Sequence, residues 1–311
     1  MQVFVDDFSV ERIHVEAPTE IIFLCGGAYG NIGDEAILSM RDAFLKVLKF
    51  PAVGSRDVIL AEDITRDSGF GEHYQDILEF ETDLAQITDL ILLFCESEGS
   101  FAELGSFSSV EEIAQRILVV IRDRYWQEDS FITLGPLRFL NRRHEASVFV
   151  LEDEAVGIVG NSCANISLDN FRDQLDPPLR ERLERTREPS TFNADRPGHL
   201  IKLIVGLVQE FGALTEDEIA ALIEKLGIEL ARERLRSYLL CAKSVEWLVV
   251  ERKGFRDFLV AVPDKEAVNF RYLGETLPRN RARRKMDIRK YWKEHDEPRF
   301  RAISKITGAE A

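Results

Sequence analysis

A chain of 311 residues with 45% hydrophobic content can bury one large domain and a smaller one, and its net charge of −15 argues against coating nucleic acid along its length. The N-terminus lacks the basic-then-apolar pattern of a signal peptide, and no apolar run reaches the roughly 20 residues that a membrane span requires. Cys25, Cys95, Cys163 and Cys241 are scattered without CxxC spacing, so buried thiols in a reducing, cytoplasmic compartment are expected rather than disulfides or a zinc site.

In the first half, short apolar runs predict strands: Ile21–Cys25, Asp57–Leu60, Leu90–Phe94, Ile117–Ile121 and Ser147–Leu151. Helical spacing of three and four separates them, as in "DEAILSMRDAFLKVLKF". Strands alternating with helices predict an α/β fold with a doubly wound, mostly parallel sheet over residues 1–150. Ligands of such sheets bind at the carboxyl ends of the strands, which gathers "CGGAYGNIGD", "AEDI" and "CESEGS" on one rim. Residues 151–195, broken by "LDPP" and "REPS", read as a helical connector.

Over 196–277 the pattern changes. "HLIKLIVGLVQEFG" is an apolar helix ending at glycine, and Thr215 with Glu218 has capping-box spacing at the start of a second helix. "ELARERLRSYLLCAKSVEW" reads as a third helix, and two strand-like runs flank Arg252-Lys253-Gly254. Three helices and a hairpin predict an α+β winged helix-turn-helix. Arg232, Arg234, Arg236 and Lys243 on the third helix, with Arg252, Lys253 and Arg256 at the hairpin, suit phosphate contacts; an acidic second helix equally suits protein docking. Residues 278–311 hold eleven Lys/Arg against five Asp/Glu, a local +6 on a body of −21. There Arg283, Arg284 and Lys285 precede Tyr291 and Trp292, a mixture that fits stacking on a single-stranded or structured nucleic acid.

The stretch "LILLFCESEGSFAELGSF" joins an apolar run to an acidic turn and a helix start. Gly99 reads as a bend close to a ligand, Ser100 as the helix cap or a holder of a phosphate or sugar oxygen, and Glu103 as a first-turn carboxylate kept ionised by the helix dipole. Gly105 reads as a tight helix–sheet contact. A carboxylate fixed beside a sugar can attack the anomeric carbon or stabilise an oxocarbenium-like transition state. A residue that only complements the dipole would have the same sequence.

This turn resembles the G-[ST]-x-x-E-x-G segment of nucleoside 2-deoxyribosyltransferases, whose nucleophilic glutamate falls on Glu103. Together with "IIFLCGG", "AEDI", "ESEGSFAELGSFS" and "FITLGPLRFL", over about residues 20–145, the chain resembles the deoxyribosyltransferase-like effectors of type II-A retron anti-phage systems. The resemblance implies an N-glycosidase that cleaves NAD+ or a related nucleotide, needs no cofactor, and is held with a retron reverse transcriptase and its multicopy single-stranded DNA–RNA hybrid in a higher-order oligomer. It leaves open a nucleotide sensor without turnover and a transferase acting on a macromolecule. Under it, Gly26 and Gly27 approach a phosphate or ribose, Glu62 and Asp63 accept ribose hydroxyls, Glu96 assists proton transfer or ribose binding, and Arg138 meets a pyrophosphate. The loop "AYGNIGDE" is neither a Walker A nor a GxGxxG match.

Overall fold

Five apolar runs assemble into one parallel sheet. In the computed structural model, which describes residues 10–16, 20–47, 49–60, 62–63, 70–185, 189–262, 266–271 and 280–308, the strands are β1 (Ile21–Cys25), β2 (Asp57–Ile59), β3 (Leu90–Cys95), β4 (Ile117–Arg122) and β5 (Val148–Leu151). Their order is β2-β1-β3-β4-β5, with every neighbour parallel. The three central strands are buried at every residue, as a sheet covered on both faces requires. Side chains two residues apart share a face, so Ile22 and Leu24 join Leu92, Phe94, Leu118 and Val120 in one core.

Two helices complete that core, α1 (Met40–Lys46) through Met40 and Phe44, and α3 (Leu168–Leu183) through Phe171, Leu175 and Leu179. α1 is much shorter than its apolar pattern predicts, because Ser39 caps it and the preceding loop follows an irregular path. α3 runs straight through Pro177 and Pro178, where "LDPP" predicts a break. Buried residues at three- and four-residue spacing hold it together, and the buried Arg182 donates to the Ile117 and Gln115 carbonyls. Tertiary packing here outweighs the hydrogen bonds that proline removes.

The chain divides into two units that interleave along the sequence. Residues 20–63 and 88–186 form the sheet unit; 1–19, 64–87 and 187–311 form the other. In the second unit α4 (Pro197–Phe211) ends at Gly212, α5 (Glu216–Lys225) opens with the Thr215–Glu218 capping box, and α6 (Arg232–Ser244) follows. Leu248–Lys253 and Arg256–Ala261 form the expected antiparallel hairpin, with Ala213–Leu214 as a third strand.

Residues 281–307 are not an extended basic tail. They form α7 (Arg281–His295) and α8 (Glu297–Thr307), which pack within this unit. The Trp292 indole is 5% exposed and donates its Nε1–H to the Phe211 carbonyl, while Arg284 is 3% exposed and pairs with Glu210. All four cysteines are buried free thiols. Among the described residues, no helix is long and apolar enough to cross a membrane.

Candidate active site

The strand order reverses between β1 and β3, the switch point at which sheets of this kind bind ligands between the loops that follow the two strands. Glu96, just past β3, spans it. Its Oε1 accepts the amides of Gly27 (3.0 Å) and Arg41 (3.1 Å), and its Oε2 accepts the Met40 amide at 2.6 Å. A carboxylate of the chain thus occupies the amide-rich place where Gly26 and Gly27 were expected to meet a phosphate. Burial pushes the Glu96 carboxyl upward, and the three amides and the Ser39 hydroxyl oppose it. These bonds account for the two glycines. A Cβ on Gly27 would lie 2.9 Å from the Ser39 Cβ and 3.0 Å from Glu96 Cγ, and one on Gly26 would meet Arg41 and Phe94 at 3.0 Å.

The turn after β3 differs from its expected form. Helix α2 (Glu98–Ser108) begins earlier, with Ser97 as its cap and Ser100 as the partner in a capping box. Ser100 is 1% exposed, and its hydroxyl accepts the amides of Glu96 and Ser97 and donates to the Ser97 carbonyl. That oxygen is engaged inside the turn. Gly99 and Gly105 are exposed; a Cβ on Gly99 would approach only Ser97 Oγ, at 4.0 Å, and one on Gly105 would meet nothing within 4 Å. Neither a left-handed bend nor a tight packing contact explains them.

Glu103 accordingly lies in the second helical turn, beyond the strongest influence of the helix dipole. Its Oε2 is buried and, among the described residues, has no hydrogen-bond partner. Burial pushes its carboxyl up to about 7; the Arg41 guanidinium draws it down and Glu62 pushes it further up. At neutral pH a carboxyl of this kind divides between acid and anion, the condition a residue needs to act in either form.

Arg41 organises this rim, and nothing in the sequence reading singled it out. It is 4% exposed. Its Nε donates to the Gly27 carbonyl (2.6 Å), its Nη1 meets Glu62 Oε1 (2.8 Å), and its guanidinium lies 4.9 Å from the centre of the Tyr29 ring. The Tyr29 hydroxyl in turn donates to Asp63 (2.9 Å). Glu62 and Asp63 therefore reach the rim on partners; Ala61 and Ile64, the rest of "AEDI", lie outside the described residues. One signal was available: an arginine beside an aspartate on the apolar face of a helix needs buried partners. Asp42 has them in Lys46 and in the Gly30 and Leu38 amides.

The arrangement at the β1/β3 switch point is a polar, ordered rim in which, among the described residues, Glu103 Oε2 has no partner. A family model for the STM3845 retron effector protein matches residues 38–250, which include Arg41, Glu62, Glu96 and Glu103. The chain belongs to the STM3845 retron effector family. This retron effector is 35% identical over 127 residues to the Escherichia coli retron Ec86 protein provisionally named a ribosyltransferase/DNA-binding protein. That match covers 41% of the chain and 39% of the relative. It is 23% identical over 238 residues to the Escherichia coli retron Ec73 protein of the same provisional name, covering 70% and 71% of the two chains.

The cations expected to contact nucleic acid are mostly paired within the effector. Arg232 pairs with Asp217, Arg236 with Glu216, and Lys253 with Glu251, each at 2.8–2.9 Å. Arg252 faces Asp257 more loosely at 3.6 Å, and Arg283 is exposed. Arg284 is spent on Glu210 in the interior, and burial together with the neighbouring Arg281 lowers the pKa of Lys285. The exposed Arg232 and Arg236 pairs contribute little and can exchange for a phosphate; Lys253 sits half-buried on the buried Glu251, and Arg284 cannot leave Glu210 without disrupting the fold. Arg138 takes no part in the contacts around Glu96 and Arg41 and is exposed on a cavity of its own.

Proposed function

We propose that this retron effector is an N-glycosidase of the nucleoside 2-deoxyribosyltransferase type, cleaving the nicotinamide–ribose bond of NAD+ or the corresponding bond of a related nucleotide. The observation that carries the reading is the buried, unpartnered Glu103 oxygen at the strand-order reversal. In its ionised form Glu103 attacks the anomeric carbon as the C–N bond breaks, and the electron pair leaves with neutral nicotinamide. Water then attacks the same carbon, which restores the carboxylate and releases ADP-ribose and one proton. In this reading Glu62 and Asp63, which contact Arg41 and Tyr29, accept ribose hydroxyls. Glu96, with both oxygens on backbone amides, acts by fixing the two loops.

The test is a metabolite profile of cells expressing the chain, with and without Glu103→Gln, together with its retron partners. Loss of NAD+ with nicotinamide release, abolished by the substitution, is the expected result; an unchanged profile with partners present would overturn it. A second reading draws on the name of the Ec86 and Ec73 relatives, which describes ribosyl transfer. In that case the ribosyl group ends on a protein or nucleic acid, and a covalent adduct replaces free ADP-ribose.

The α4–α6 helices and hairpin have the element order of a winged helix, and we assign them to docking on the reverse transcriptase and its DNA–RNA hybrid as part of an anti-phage toxin complex. Arg232, Arg236, Arg252 and Arg283 supply the exposed charge, with the half-buried Lys253 beside them. Co-purification with the reverse transcriptase, weakened by charge reversal at these positions, is expected.

A further inference from the structure

We infer that a cavity beside the carboxyl end of β4 binds a nucleoside phosphate, with Arg138 and Arg142 on the phosphate and the Trp126 indole against the base. β4 ends at Arg122 and passes directly into a short helix, Asp123–Trp126. The cavity has a volume of about 500 Å³, within the size range of small-molecule sites, and Trp126, Leu134, Arg138, Asn141 and Arg142 line it.

Two independent features point to an anionic ligand. Arg138 and Arg142 lie four residues apart on the helix Arg138–Arg143, where like charges repel, and both are exposed on the cavity. Among the described residues neither side chain has an ion pair or a hydrogen bond. Elsewhere in this unit Arg41, Arg56, Arg122 and Arg180 all have carboxylate partners. Two free, planar, permanently charged groups at this spacing match the oxygens of a phosphate.

The second feature is the backbone. Thr133–Leu137 forms a π-helical turn with Pro136 inside it, immediately before Arg138. Such turns are uncommon and concentrate at functional sites. Helix α2, which carries Glu103, packs against this same turn.

The remaining lining residues narrow the ligand. Glu128 and Asp129 also face the cavity, so bare phosphate meets repulsion as well as attraction. A ligand whose sugar hydroxyls donate to those carboxylates while its phosphate meets the arginines avoids that conflict. Trp126 and Leu134 supply the apolar surface for a base, and Asn141 can both donate to and accept from its edge.

The inference shares its ligand class with the glycosidase reading, and the test separates the two. AMP, adenosine and inorganic phosphate are titrated calorimetrically into the full chain, as wild type and as Glu103→Gln. The same titrations use Arg138→Gln/Arg142→Gln and Trp126→Ala. Saturable AMP binding is expected in the first two, weaker by about tenfold or more for adenosine, for phosphate and for the double arginine variant. Trp126→Ala also weakens AMP. The double variant should melt as wild type does, since it removes no internal bond. Absence of saturable AMP binding, or AMP binding unchanged in the double variant, would overturn the inference. AMP binding that depends on the arginines, in a protein that releases no base even with its retron partners, would uphold this site and remove the glycosidase.

Discussion

Asp83 and Glu103, one in each unit, are carboxyl groups pushed up by burial, and they differ in what surrounds them. In the second unit Asp83 rises to about 6 because burial outweighs the pull of Arg234. Its oxygens are nonetheless satisfied: the Tyr74 hydroxyl donates at 2.9 Å and Arg234 Nη2 meets both oxygens at 2.8–2.9 Å. Arg234 reaches Glu79 as well. In the sheet unit Glu103 rises to about 7 and has an oxygen with no partner. A raised carboxyl pKa is thus no evidence of a site by itself. The unmet hydrogen-bonding capacity separates a residue awaiting a ligand from one that anchors a fold.

The largest effect that could break this contrast is on turnover. Glu103→Gln should retain the fold and lose base release by on the order of 10³-fold or more, whereas Asp83→Asn should leave turnover per folded molecule intact. Release of nicotinamide measured on purified complexes decides the point. Equal losses in the two variants would mean that Glu103 has no special role. On stability the order reverses. Asp83→Ala strips Arg234 of one of its two carboxylates in a largely buried setting and should cost about 3 kcal/mol in denaturant unfolding.

The sheet was legible because parallel strands leave continuous apolar runs, and each of the five predicted runs became a strand to within a residue or so. The hairpin and the Thr215 cap were legible because turn and cap chemistry is local. What escaped was tertiary. α3 runs through two prolines because Phe171, Leu175 and Leu179 bury one of its faces, which no local signal conveys. The basic segment 281–307 has the charge of a nucleic-acid tail, yet Arg284 and Trp292 bond to Glu210 and Phe211, far back in the chain. In the site itself the acidic residues were legible but their division of labour was not. Glu96 and Glu103 are both glutamates at the end of one apolar run, and only the fold places three amides on the first and none on the Oε2 of the second.

Arg41 gives a smaller and sharper test, since it acts on Glu103 through charge and on Glu62 through contact. Arg41→Met removes the attraction that holds the Glu103 pKa down, so the acid limb of the pH–rate profile should move up by roughly one unit. At pH 7 the ionised fraction, and with it the rate, should fall by about fivefold. Arg41→Lys should restore most of the limb while leaving ribose binding weaker, because a single ammonium cannot serve Gly27, Glu62 and the Tyr29 face together. An acid limb that stays in place in Arg41→Met would show that burial alone sets Glu103.

The smallest effect concerns stability against pH, where the sign is distinctive. A carboxyl whose folded pKa lies above its ordinary value contributes stability that is fully present below the ordinary carboxylate range and is lost as pH rises through the folded pKa. For Glu103 that window ends near pH 7. Glu103→Gln carries no charge to desolvate, so it should gain on wild type as pH rises from about 4.5, and level off above about pH 8 at roughly 1–3 kcal/mol. Asp83→Asn obeys the same sign through a lower window that ends near pH 6, and it also loses its ion pair with Arg234. Urea unfolding of both variants at pH 6, where the Asp83 window has nearly closed, and at pH 8 reads the difference. Parallel behaviour of wild type and Glu103→Gln would mean that the carboxyl reaches water and forfeits its unmet oxygen as a mark of the site. A gain between pH 6 and pH 8 confined to Glu103→Gln would identify this one carboxylate as held against the stability of the fold, the cost expected of a residue kept for its chemistry.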